Sequence, residues 1–175
     1  TISVTDINDA PSDISLSSTS INEKEISGTI VGVLGSTDED VGDIHTYTLI
    51  EANSTQDSSF SISGSDLIAA TVFDFALQSS YNVRIATTDS SLLSYEEDFT
   101  ITVINVAPVI DSVSSTVVDG NYGIGEVIPI TINFDEKITT TGTPQLTLET
   151  GITDAVVDYT SGSGSTNLTF NYTIL

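Results

Sequence analysis

The strongest constraint on the fold of this chain is a period-two alternation of β-branched or apolar residues with Ser, Thr and Asp. The alternation recurs in short runs separated by Gly, Asn and Asp clusters, which is typical of β-strands joined by tight turns. No segment shows the apolar periodicity of an amphipathic helix. We therefore predict an all-β protein, whose first strands lie at residues 14–16, 29–34, 46–49, 60–63, 66–69, 81–87 and 99–104.

Short strands at this spacing over about a hundred residues predict an immunoglobulin-like β-sandwich with Greek-key connections. Within the strand at 81–87, Val83 and Ile85 are expected to face the core, and Asn82 and Arg84 the solvent. A second unit begins at Pro108 and repeats the pattern, so the fold class is a tandem of two sandwiches. Its strands are expected at residues 128–134, 145–148, 155–159 and 168–174.

The segment 160–166 is rich in Gly and Ser and lies between two strands of the second unit. We predict a hairpin connection there rather than an interdomain linker. The chain after residue 107 is short for a complete sandwich of about 100 residues. The second sandwich is therefore expected to be truncated.

The charge of the chain excludes several classes of partner. Acidic residues outnumber Lys and Arg by 25 to 3, giving a formal net charge of −22, so nucleic acid and anionic membranes would be repelled. Such charge on a strand-patterned chain indicates a folded protein that works with bound cations. The chain has 0 cysteines, so it has no disulfide or thiol chemistry. It also lacks an apolar run long enough to span a bilayer, so we expect no direct membrane insertion.

One acidic run is repeated later in the chain without its acids. The run Asp6-Ile7-Asn8-Asp9-Ala10-Pro11 returns as Ile104-Asn105-Val106-Ala107-Pro108. Calcium takes six to eight oxygen ligands from separate segments, and the first run, the loop 38–43 and Asp89 could meet where the chain enters the sandwich. Asp, Asn and Gly are also the commonest turn residues, so a solvated loop remains the alternative.

The first unit, residues 1–107, resembles the cadherin repeats, and most closely those of large bacterial surface proteins and adhesins. The run at 6–11 resembles the cadherin interdomain linker. The other motifs follow in the cadherin order: Ile21-Asn22-Glu23, Asp38-Glu39-Asp40, Phe73-Asp74-Phe75-Ala76 and Ala86-Thr87-Thr88-Asp89. The second unit, through residues 118–126, 130–136 and 142–149, resembles an immunoglobulin-like repeat of bacterial surface proteins.

The resemblance implies a domain order and a calcium site. Residues 1–11 would be the last strand and linker of a preceding repeat, 12–107 a cadherin-like domain and 108–175 an incomplete immunoglobulin-like domain. A preceding repeat would supply the other half of the calcium site. In this chain the Ca²⁺ ligands would be Asp6, Asn8, Asp9, Asp38, Asp40 and Asp89.

By the same resemblance, Glu23 and Asp74 map to the opposite end of the repeat. Ala76 replaces the motif glutamate there, and the linker aspartates are absent. We expect this second site to bind calcium weakly or not at all. Apolar contacts around Ile104, Val106, Pro108 and Ile110 are expected to hold the junction instead.

These features predict a calcium-stiffened spacer or adhesion repeat of an extracellular bacterial surface protein. Its partners would be neighbouring repeats of the same chain, with a polysaccharide or a homophilic cadherin-like partner left open. The alternative is a carbohydrate- or protein-binding module, for which Tyr122 in a Gly-rich turn is the candidate platform. No enzyme activity is expected, because the carboxylate clusters are better explained by cation binding and the one histidine, His45, cannot build a zinc site. His45 could neighbour a cation, but an ordinary exposed position is the favoured expectation.

Overall fold

Two four-stranded sheets form the first unit, Thr1–Val106, of the computed structural model, which describes residues 7–50 and 57–175. A 3₁₀ turn at Asp57–Ser59 precedes the fifth strand. The strands are β1 (Asp13–Leu16), β2 (Ser20–Asn22), β3 (Ile30–Thr37), β4 (Thr46–Leu49), β5 (Phe60–Ser63), β6 (Asp66–Ala69), β7 (Ser80–Thr88) and β8 (Ser94–Ile104).

The two sheets have the strand orders β1-β3-β6-β5 and β2-β8-β7-β4. The pairing of β2 with β8 is parallel, whereas the other pairs of this unit are antiparallel. β1 and β2 are consecutive in the chain but belong to different sheets, so the start of the unit is tied to both layers.

The inward-facing side chains of both sheets form one core. Val83 and Ile85 are buried and Asn82 is exposed, as the alternation predicts, while Arg84 is half-buried. Phe73 packs against two further rings, with its centroid 5.3 Å from Phe60 and 4.8 Å from Tyr81. Each fully buried aliphatic or aromatic side chain of this kind stabilises the fold by about 1.5–3 kcal/mol. The predicted all-β sandwich fold is confirmed.

The second unit, Ala107–Leu175, is built from one five-stranded sheet in the order β11-β12-β13-β10-β9. The first half of β12 pairs with β11 and its second half pairs with β13, with a register irregularity between Tyr159 and Ser161. The core contains Ile132, Val157, Leu168 and Phe170. The strands are β9 (Ile110–Ser115), β10 (Val127–Ile138), β11 (Gln145–Leu148), β12 (Ala155–Ser161) and β13 (Ser165–Thr173).

The Gly- and Ser-rich segment is a hairpin turn, as predicted, because β12 ends at Ser161 and β13 begins at Ser165. Among the strands in residues 7–50 and 57–175, two were not predicted from the sequence. β2 has only three residues, too few to show an alternation, and every residue of β9 is exposed, so burial imposes no apolar pattern on it. The expected completion of this unit by further strands stays a prediction.

Candidate metal site

Three loops of the first unit meet at the end of the sandwich where β1 begins, which we call the entry pole (residues 8–13, 38–45 and 89–93). The pairing of Asp13 with Thr37 places the entering chain beside the end of β3. The pairing of Thr46 with Thr88 places the start of β4 beside the end of β7. Polar residues that follow or precede these strand ends are thereby brought together.

Asp38, Asp43 and Asp89 converge at this pole. One carboxylate oxygen of each lies within 4.8 Å of the others. Asp38 and Asp43 lie at the two ends of the loop between β3 and β4, and Asp89 follows β7, so the three acids come from two loops. We call these three residues the aspartate cluster.

Asp89 is fixed by hydrogen bonds on both carboxylate oxygens and is only 4% exposed. Its Oδ1 accepts the backbone N–H groups of Ser91 and Leu93, both at 2.8 Å. Its Oδ2 accepts a hydrogen bond from Asn8 Nδ2 at 2.8 Å. Burial opposes ionisation of Asp89, but the hydrogen bonds from Asn8, Leu93 and Ser91 outweigh it and hold the pKa below its ordinary value.

Asp38 is held by His45 and by its own loop. His45 Nε2 lies 2.9 Å from Asp38 Oδ2, and the Asp40 backbone N–H donates to Asp38 Oδ1 at 3.1 Å. The hydrogen bonds from His45 and from Asp40 lower the pKa of the Asp38 carboxyl. The side chain of His45 is only 13% exposed, so the prediction of an exposed histidine is wrong. The start of β4 brings the ring against Asp38.

Asp43 is the least satisfied member of the cluster. Its Oδ1 accepts hydrogen bonds from the Ser90 hydroxyl and from the Ile44 backbone N–H. Its Oδ2 is buried and has no hydrogen-bond partner among the described residues. A buried carboxylate oxygen without a donor is costly, and two neighbouring carboxylates add repulsion. A cation in contact with this oxygen would remove both costs.

Three of the remaining predicted ligands, Asn8, Asp9 and Asp40, lie around the cluster. The Asp9 backbone N–H donates to Asp40 Oδ2 at 2.7 Å, and Asn8 bonds to Asp89. Asp9 and Asp40 are not among the three clustered acids, and Asp6 lies outside the described residues. The structure therefore joins two predicted ligands, Asp38 and Asp89, and adds Asp43 to them.

The residues present fit a calcium ion. Calcium–oxygen distances are about 2.3–2.6 Å, so two oxygens on one ion are at most about 5 Å apart. The three carboxylate oxygens meet that limit. All three are hard oxygen donors, which suit calcium better than zinc. Further oxygens would come from the Asn8 amide, backbone carbonyls and water.

Glu23 and Asp74 lie at the other end of the first unit, which we call the exit pole (residues 22–24, 73–77 and 104–106). Glu23 is 4% exposed, and its two oxygens accept the backbone N–H groups of Phe75 at 3.0 Å and Val106 at 2.8 Å. Asp74 Oδ1 accepts the backbone N–H of Ala76 at 2.8 Å. Both carboxylates thus bind backbone donors, and their weak calcium role stays a prediction.

Tyr122, the candidate sugar platform, contacts its own turn. Its hydroxyl donates to the Val118 carbonyl, and the half-buried ring lies against Gly120. A role of this ring in glycan binding stays a prediction.

No protein-family model matches the chain, and no curated protein matches it. Among solved structures, human protocadherin-24 extracellular cadherin domains 1–2 superpose with a TM-score of 0.50 at 16% identity, over 96% of this chain and 80% of that chain. Protocadherin gamma B2 extracellular cadherin domains 1–5 give a TM-score of 0.49 at 19% identity, over 98% of this chain. The chain spans only 34% of that second structure.

The likeness to protocadherin-24 defines a class of fold. At this identity it shows a cadherin-like β-sandwich architecture and nothing about ligands or partners. Within residues 7–50 and 57–175, no helix has the length and apolar character needed to cross a membrane.

Proposed function

We propose that this chain is a calcium-stabilised adhesion or spacer repeat of an extracellular bacterial surface protein. The observation that carries the proposal is the aspartate cluster, one of whose members, Asp43, has a buried Oδ2 without a hydrogen-bond partner among the described residues. The bacterial surface setting is supported by the motif resemblance. The cadherin-like fold supports a role as one module among others in a longer chain.

Asp38, Asp43 and Asp89 would hold the ion between two loops of the entry pole, the β3–β4 loop and the β7–β8 loop. A bound Ca²⁺ supplies two positive charges, which offset the repulsion among the three carboxylates. Asn8, hydrogen-bonded to Asp89, couples the entering segment to the same group. In this way the ion would hold the entering chain against the body of the sandwich.

The charge of the whole chain suits an extracellular setting. Calcium sites of extracellular modules have dissociation constants of about 10⁻⁴–10⁻³ M, which matches a site with few protein ligands. A net charge of −22 also favours divalent cations near the surface. The proposed partners are the neighbouring repeats of the same polypeptide, with a homophilic partner or a polysaccharide as further candidates.

Isothermal titration of calcium into the chain tests the proposal. The wild type is expected to bind calcium in the range of extracellular modules, and Asp43→Asn is expected to weaken binding strongly, because it removes a charge and a ligand oxygen. Glu39→Gln is the matched control, since Glu39 is an exposed acid of the same loop. Equal loss of binding in both variants, or no calcium binding by the wild type, would contradict the site.

A further inference from the structure

The parallel pairing of β2 with β8 connects the start of the first unit to its end. Ser20 pairs with Thr102 and Asn22 with Ile104. β2 follows the entry of the chain and β8 is the last strand of the unit. Both strands point toward the exit pole, so tension on the two ends of the unit, once it passes β1 and reaches β2, pulls the two strands in opposite directions along their own axes. The hydrogen bonds between them would then be loaded together rather than one after another.

The hydrogen bonds of this ladder follow a regular series. The Thr102 N–H donates to the Thr19 carbonyl at 2.9 Å, and the Glu23 N–H donates to the Ile104 carbonyl at 3.0 Å. In a parallel ladder, donors and acceptors advance by two residues at each step. The next step in the series would bring the Val106 N–H to the backbone carbonyl of Glu23.

The side chain of Glu23 takes the place of that carbonyl. The Val106 N–H donates to Glu23 Oε1 at 2.8 Å. Lys24 has a φ of 66°, which turns the chain away from the ladder directly after Glu23. The carboxylate therefore adds one more hydrogen bond between the two terminal segments, beyond the point where the backbone of the first segment leaves.

The surroundings of Glu23 make this bond strong. Its other oxygen accepts the Phe75 N–H at 3.0 Å, and the residue is 4% exposed. The Lys24 N–H donates to the Phe73 carbonyl at 3.0 Å, which fixes the same turn. Hydrogen bonds to an ionised acceptor are stronger than neutral ones, and a site shielded from water strengthens them further.

We propose that the first unit is a load-bearing module that resists tension through the parallel ladder between residues 19–23 and 102–106, with the Glu23 carboxylate as its last hydrogen-bonding step. The proposal rests on the strand topology of this unit and is independent of the calcium site. The load it fits is a pull along the polypeptide, as in a chain tethered at both ends.

Constant-force single-molecule measurements on the whole chain, held by its two termini, test the proposal. The unfolding event of the first unit is recognised because it releases more chain than that of the second unit. Glu23→Gln keeps one acceptor oxygen and leaves one backbone donor unpaired. We expect the variant to unfold about tenfold or more faster under the same load, the factor for losing one hydrogen bond to a charged group.

Asp74→Asn is the matched control. Asp74 is a carboxylate of the same pole that accepts a backbone N–H, from Ala76, but it does not bridge β2 and β8. Its substitution is expected to leave the unfolding rate of the first unit under terminal load unchanged. An equal acceleration in both variants would overturn the proposal.

A second pulling direction separates load bearing from general stability. The chain has 0 cysteines, so Ser61→Cys and Ala70→Cys can attach handles near the open end of the β5–β6 hairpin and peel it without shearing β2 against β8. Glu23→Gln is expected to leave the peeling rate unchanged. The proposal is overturned if the variant speeds unfolding equally in both directions, or if it leaves the rate under terminal load at the wild-type value.

Discussion

Individual carboxylates in this protein have different roles, which depend on the hydrogen-bond donors around them. Glu23 has both oxygens occupied by backbone N–H groups, whereas Asp43 keeps one buried oxygen without a donor. The first arrangement satisfies the charge within the chain, and the second leaves it to be satisfied by a cation. Burial alone therefore does not distinguish Glu23 from Asp43, whereas the hydrogen-bond donors around their oxygens do.

The sequence predicts part of the aspartate cluster. Asp38 and Asp89 stand in recognisable motifs, and their loops can be assigned to one pole from the strand pattern. Asp43 has no motif of its own, and its position depends on Gly42, whose φ of 95° turns the loop, and on the pairing of β4 with β7. These are tertiary features, so the sequence identifies the loop but not this ligand.

Tyr81 gives a prediction at the same scale. Burial raises the pKa of Tyr81 above its ordinary value of 10.0, and the charge of Asp74 raises it further. Stability from the neutral phenol is present below pH 10 and is lost as pH rises from there through the folded-state pKa. Tyr81→Phe is therefore expected to make the free energy of unfolding fall less steeply above pH 10, measured by urea denaturation. An unchanged slope would contradict this burial effect.

At the scale of elements, alternation is a reliable guide where a strand has one buried face and several residues. β7 shows this, since its inward residues Val83 and Ile85 were predicted from the pattern alone. β2 and β9 were missed because the first is very short and the second is fully exposed. The change of pairing partner along β12 was also unpredictable, because it depends on tertiary contacts and not on the local pattern.

The hairpin between β12 and β13 supplies a prediction for this scale. Gly162 has a φ of 114°, and a Cβ built there would lie 2.0 Å from the Asn167 carbonyl oxygen. Gly162→Ala is expected to destabilise the second unit by at least about 2 kcal/mol, from backbone strain together with the clash. The measurement is urea denaturation of the whole chain.

Gly164→Ala is the control for that clash. Gly164 also has a positive φ, of 84°, but no atom lies within 4 Å of a Cβ built there. Its substitution is expected to cost only about 1 kcal/mol of backbone strain. An equal loss of unfolding free energy in the two variants would show that the close approach to Asn167 does not affect stability.

At the scale of the whole molecule, the net charge of −22 is a source of self-repulsion. Any salt will screen part of it, but only a cation held at the entry pole stabilises one unit selectively. The aspartate cluster belongs to the first unit, and the second unit contributes none of its three members. A specific calcium site at the aspartate cluster therefore predicts that calcium stabilises the first unit and not the second.

Thermal unfolding with and without millimolar calcium, at ionic strength matched with sodium chloride, tests the central claim most directly. We predict that calcium raises the midpoint of the first unit progressively with concentration, as linkage requires. The second unit should not respond, and Asp43→Asn should abolish the shift while Glu39→Gln keeps it. Identical melting curves with calcium and with sodium chloride, or a shift that survives in Asp43→Asn, would contradict a calcium site at the aspartate cluster.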